Sequence, residues 1–135
     1  MLRILFGLFM VLHGLVHLLY VGQSARVFEL RPGMTWPDGS LVFSRLLGDG
    51  TARTLAGVLL SLAAALFVAG GVGVFARQAW WRGAVAGAAC LSAAIYLLFW
   101  DGGLQNLADK GGVGLLINAA ILAAVLLFRW PPLGF

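Results

Sequence analysis

LRILFGLFMVLHGLVHLLYV, residues Leu2–Val21, decides the fold: it is apolar almost throughout, with Arg3 its only charge. Its length lies within the roughly 17 to 25 residues that an α-helix needs to cross a ~30 Å hydrocarbon core. Three further runs repeat the pattern, at Leu55–Ala76, Gly83–Trp100 and Gly111–Phe128, none containing Asp, Glu, Lys or Arg. Lipid cannot hydrogen-bond an open backbone, so runs of this length are helices. The chain therefore reads as all-α, an integral membrane four-helix bundle in a single domain, with spans at about 2–21, 55–76, 83–100 and 111–128. The alternation of a transmembrane β-barrel is absent. Composition agrees: of 135 residues, 61% are hydrophobic and 10% charged, far from soluble usage. Arg3 ahead of an apolar run is also how a secretory signal begins, but this run is longer than a signal core and is read as a retained first span.

Outside the spans lies one long segment, residues 22–54. Its centre, RPGMTWPDGS (Arg31–Ser40), is rich in turn formers and excludes a regular element. The flanking pieces ARVFELR and SLVFSRLLG mix apolar and charged residues and read as short interfacial helices on the bilayer surface, with Asp38 and Ser40 as N-caps for the second. Trp36, Trp80, Trp81, Trp100 and Trp130 fall in this loop or at span ends, as an aromatic belt does. Trp36 is also placed to roof a pocket.

The nine basic residues give a net charge of +4 but form no stripe, so nucleic acid is not implied. They bear on topology instead. Arg3, Arg77, Arg82 and Arg129 flank one side of the bundle with no acid. Every acid (Glu29, Asp38, Asp49, Asp101 and Asp109) lies on the side of the long loop, together with Arg26, Arg31, Arg45, Arg53 and Lys110. The acid-free side is net positive, which favours a multi-pass protein of the cell membrane with both termini cytoplasmic. The single Cys90 excludes a dithiol mechanism within one chain. Gly83 and Gly87 form a GxxxG pair, Gly57 and Ser61 repeat the small spacing, and Ala63, Ala64, Ala65, Gly70, Gly71 and Gly73 crowd the second span. Close helix approach is expected at these positions.

Inside the spans six polar side chains stand out: His13, His17, Ser61, Ser92, Tyr96 and Asn118. At about 1.5 Å per residue they lie roughly 6 to 12 Å from the long-loop end of their helices, all in one half of the bilayer. His13 and His17 share a helix face at i, i+4, as do Ser92 and Tyr96. Polar groups in lipid are expensive and face a bundle interior or water. The reading is a polar pocket opening toward the long loop, with His13, His17, Tyr96, Asn118, Ser61, Ser92 and Trp36 as ligand-binding residues. The alternative is that these groups are hydrogen-bond glue between helices.

Such a pocket admits several chemistries. A quinone-like, lipid-soluble ligand needs only hydrogen-bonding groups in an apolar slot. Zinc needs a third protein ligand beside His13 and His17, for which only Asp101 is a plausible nearby carboxylate. Two histidines on one helix face cannot hold a haem iron from opposite sides, leaving a five-coordinate haem or one shared between copies. Ser61 or Ser92 beside a histidine makes a dyad, but no nucleophile-elbow sequence surrounds either. Three functions stay open: a binding or accessory subunit, a metal-dependent membrane enzyme built on the histidine pair, and a purely structural partner subunit. Whether the chain is an enzyme is left open. The lipid bilayer is a partner in each case, with a membrane protein or a second copy as further candidates.

RILFGLF after a basic start, the long loop carrying proline and tryptophan, the span GVLLSLAAALFVAGG and two further close-set helices together resemble the layout of the DoxX-like group of small four-helix membrane proteins. That resemblance implies a small subunit or partner of a membrane redox system, including quinone-linked ones. It carries over no functional residue.

Overall fold

The computed structural model describes residues 1–135 and consists of helices and their connections, without strands. Helix α1 is Leu2–Ser24, the short α2 is Phe43–Leu47, α3 is Asp49–Phe75, α4 is Trp81–Leu98 and α5 is Ala108–Leu127. All but α2 are long and apolar enough to cross a membrane, the layout of a multi-pass membrane protein. Helix α3 starts six residues ahead of the apolar run, because Asp49 sits in its first turn, where a carboxylate favours the positive end of the helix dipole. Helix α5 opens and closes in wide π-type turns. At its start Gly111 has φ 103°, and a Cβ there would overlap the Tyr96 ring, so glycine alone meets both conditions.

Helix α1 packs along α3, α3 along α4, and α4 along α5, whereas α1 and α5 are not packed along one another. The α1–α3 seam is the most extensive. A Cβ on Gly71 would lie 2.7 Å from both the Gly7 carbonyl oxygen and a Val11 methyl. The expected GxxxG contact does not occur: Gly83 and Gly87 have no neighbour within 4 Å of where a Cβ would stand, and neither has Gly57. These residues lie on outer helix faces, while the seams are made by Gly7, Gly14, Gly70, Gly71 and Gly73. Trp81, expected in an aromatic belt, is fully buried and meets Phe6 edge-on. Trp80 and Trp130 remain exposed.

Of the two loop flanks, SLVFSRLLG yields α2, and Ser40 Oγ accepts from the Ser44 amide at 2.8 Å. The ARVFELR flank forms no helix beyond Ser24. Gln23 accounts for that. Fully buried, it donates from Nε2 to the Met34 and Trp36 carbonyls and accepts from the Leu30 amide through Oε1, folding the chain back on itself. Asp38, expected as an N-cap, instead pairs with Arg26 and Arg53 at 2.7 Å each. Arg31 reaches Asp109 at 2.6 Å and joins the loop to α5. At the opposite end Arg82 donates to the carbonyls of Val125, Arg129 and Pro131, satisfying acceptors around the end of α5.

Candidate functional site: a polar quartet beside an apolar groove

Four of the six polar residues within the long apolar helices meet in one network. His13 and His17 come from successive turns of α1, Ser92 from α4 and Asn118 from α5; all four are buried. His13 Nε2 is 3.1 Å from Asn118 Oδ1, Asn118 Nδ2 is 2.8 Å from Ser92 Oγ, and Ser92 Oγ is 2.7 Å from His17 Nε2. His17 Nδ1 closes the circuit at 2.9 Å from the His13 carbonyl oxygen.

One carbonyl orders every proton in this circuit. A carbonyl oxygen only accepts, so His17 carries its proton on Nδ1. An unpaired charge in so apolar a place is costly and no carboxylate joins the network, so both imidazoles are neutral and His17 Nε2 is an acceptor. Ser92 spends its hydroxyl proton on that nitrogen and accepts from the Asn118 amide. This turns Asn118 Oδ1 toward His13, whose Nε2 must then be the protonated nitrogen. Each donor atom of the circuit has an acceptor, as buried polar groups require.

Tyr96 lies above the quartet, its ring 6.2 Å from that of His17, and packs against Tyr20 at 5.2 Å and Trp36 at 6.3 Å. With Phe99 these rings fill the mouth of the bundle on the long-loop side. Trp36 is 3% exposed and serves as the plug. No cavity on that side reaches the histidines. One of about 220 Å³ touches Tyr96 between α4 and α5, and another of about 210 Å³ runs beneath Trp36 beside Asp101 and Lys110.

Ser61 stands apart. It is exposed on α3, donates to the Gly57 carbonyl at 2.8 Å, and lines an outer groove with Arg26 and Arg53. The proposed zinc ligands His13, His17 and Asp101 do not converge, and no three His, Cys, Asp or Glu side chains do so anywhere in the chain. The Asp101 carboxylate is held at the α4–α5 connection by Lys110 at 2.9 Å and by the Gly103 amide at 2.9 Å. Partial burial pushes Asp101 up, but Lys110 and the Gly103 N–H outweigh it and bring its carboxyl below the ordinary aspartate range. Both ring nitrogens of His17 are engaged, so neither is free for a metal without breaking the circuit.

The cavity below His13 has no histidine in its lining either, and meets the quartet through Phe9 and Ile117. A wholly apolar groove of about 520 Å³ runs between α1 and α5, lined by Leu2, Leu5, Phe6 and Phe9 on one wall and Ile117, Ala120, Ile121 and Ala124 on the other, with Trp130 at its foot. Its upper end is Phe9, stacked on His13 with centroids 5.8 Å apart, and Ile117, the residue before Asn118. In the sequence both walls read only as apolar residues of the first and fourth spans. The groove arises because α1 and α5 are the helix pair that does not close. Comparison with protein-family models, curated proteins and solved structures finds no match to this chain.

Proposed function

We propose that this chain is a small integral membrane binding or accessory subunit that holds a lipid-soluble, quinone-like ligand in the α1–α5 groove, with the ligand's head at His13. The observation that carries this reading is the adjacency of an apolar groove, in the 300 to 1,000 Å³ range of ligand sites, to one ordered polar group near mid-bilayer. An apolar ring or chain entering from lipid would lie against Phe6, Phe9, Ile117 and Trp130 without desolvating any polar atom. The resemblance of the sequence layout to the DoxX-like group supports service to a membrane redox partner. The acid-free end supports a cell-membrane protein with cytoplasmic termini.

Protein purified in mild detergent is to be extracted with organic solvent and the extract analysed by mass spectrometry, with absorbance and metal analysis run alongside. A retained lipid-soluble compound, lost in Ala120→Trp, which fills the groove, and reduced in His13→Leu, is the expected outcome. Retention unaffected by Ala120→Trp, a Soret band, or stoichiometric zinc would contradict the reading. A second reading, a structural clasp, is favoured by the closure of the hydrogen-bond circuit. It is selected if nothing is retained and His13→Leu changes stability alone.

A further inference from the structure

The direction of the proton circuit has a consequence for what the groove can recognise. His13 gives its Nε2 proton to Asn118, so its Nδ1 is a bare lone pair. That nitrogen has no partner in the protein, yet it is not sealed in: the only fully enclosed side-chain polar atoms without a partner are the indole nitrogens of Trp36 and Trp81. His13 is not itself a lining residue of the groove, but it retains 8% exposure and stacks on Phe9, which forms the groove's head. Its one unspent polar atom is therefore an acceptor.

We infer that the groove selects ligands whose head is a hydrogen-bond donor, a lipid-soluble phenol, hydroquinone or alcohol, with the hydroxyl giving its proton to His13 Nδ1. This rests on the groove being the ligand site. A head group with carbonyls alone, such as an oxidised quinone, would set an oxygen lone pair against a nitrogen lone pair and leave both unpaired, which costs more than the bond gains. The selectivity is imposed from a distance. The His13 carbonyl fixes His17, His17 fixes Ser92, and Ser92 fixes Asn118 and hence the tautomer of His13. Ser92 is thus a positioning residue, joined to the His13 ring through Asn118 and to the His13 carbonyl through His17, with no contact of its own to the groove.

Redox-inert probes separate the two ideas: para-decylphenol, its methyl ether, and the matching aryl methyl ketone, each measured by equilibrium binding to the full chain in lipid nanodiscs. The phenol is expected to bind roughly fivefold to tenfold more tightly than the ether or the ketone, the worth of one neutral hydrogen bond. His13→Leu should abolish that ratio while leaving the common apolar affinity. Ser92→Ala should reduce it too, since Asn118 is then free to turn and His13 to carry its proton on either nitrogen. Equal binding of the three probes, or preference for the ketone, would overturn the inference and leave the groove standing as a ligand site. Failure of all three to bind the unaltered protein, or binding unaffected by Ala120→Trp, would overturn the groove reading and this inference with it.

Discussion

The two ends of this bundle solve the same problem differently. At the long-loop end the mouth is closed by aromatic rings and tied by ion pairs: Arg26 and Arg53 on Asp38, Arg31 on Asp109, Lys110 on Asp101. At the opposite end there is no ion pair. Arg82 holds carbonyls at the end of α5, Phe6 meets Trp130 edge-on at 5.6 Å, and between them the α1–α5 groove stays open. The polar quartet marks the boundary, at the height where α1 and α5 touch through His13 and Asn118. The end rich in charge is thus closed over the bundle interior, with its largest space on the outer face beside Arg26, Arg53 and Ser61, and the end poor in charge carries the apolar groove.

If close backbone approach along α1–α3 holds the frame for both ends, Gly71→Leu should cost the most. Its side chain has to displace the Gly7 carbonyl or Val11, a clash worth about 1–3 kcal/mol or more. Gly87→Leu, with open space at its Cβ, should stay near zero in the same unfolding assay. Equal losses would show that the GxxxG face is packed after all and would erase the distinction between inner and outer glycines.

Asn118→Leu comes next. It removes two interhelical bonds, each worth about 0.6 kcal/mol on average in membranes, so a loss of about 1 kcal/mol is expected. The comparison sharpens if cross-linking between α1 and α5 near the groove also changes, because Asn118 is the residue of α5 that holds His13. A loss of stability with unchanged α1–α5 spacing would assign that spacing to Phe6 and Trp130 alone.

The smallest effect is confined to the long-loop end. Asp101 titrates below the ordinary aspartate range in the folded chain, so its contribution is complete above that range and is lost as pH falls through its lowered value. Acidification should therefore loosen the α4–α5 connection, read as lost protection of the Gly103 amide, while the groove end is unaffected. Asp101→Asn should remove the pH dependence. A loss of protection as pH rises would reverse the sign and contradict the assignment.

How far the sequence discloses this arrangement depends on what each pattern measures. Uncharged length locates the four long helices to within a few residues, except where Asp49 extends α3 into a polar turn. Spacing at i, i+4 pairs His13 with His17, and depth sets Ser92 and Asn118 level with them, so most of the quartet is legible. Depth is silent about azimuth. Ser61 has the right height but points outward, on a different face of α3 from Leu60, Ala64 and Phe67, which turn inward. Small-residue spacing likewise shows where a helix is able to approach another, without showing whether a neighbour stands there, as Gly83 and Gly87 demonstrate. Gln23 falls in the segment 22–54 with no signal of its own; that it folds the loop depends on carbonyls of Met34 and Trp36 that only the tertiary structure brings to it. The groove has no sequence signature, since it is the absence of packing between two helices.

The ordering of the circuit by a single carbonyl is most directly tested by nitrogen-15 NMR of histidine-labelled protein in nanodiscs near neutral pH. His17 should be protonated at Nδ1 with a bare Nε2, and His13 at Nε2 with a bare Nδ1, assigned through His13→Leu and His17→Leu spectra. His17 protonated at Nε2, or His13 at Nδ1, would contradict it.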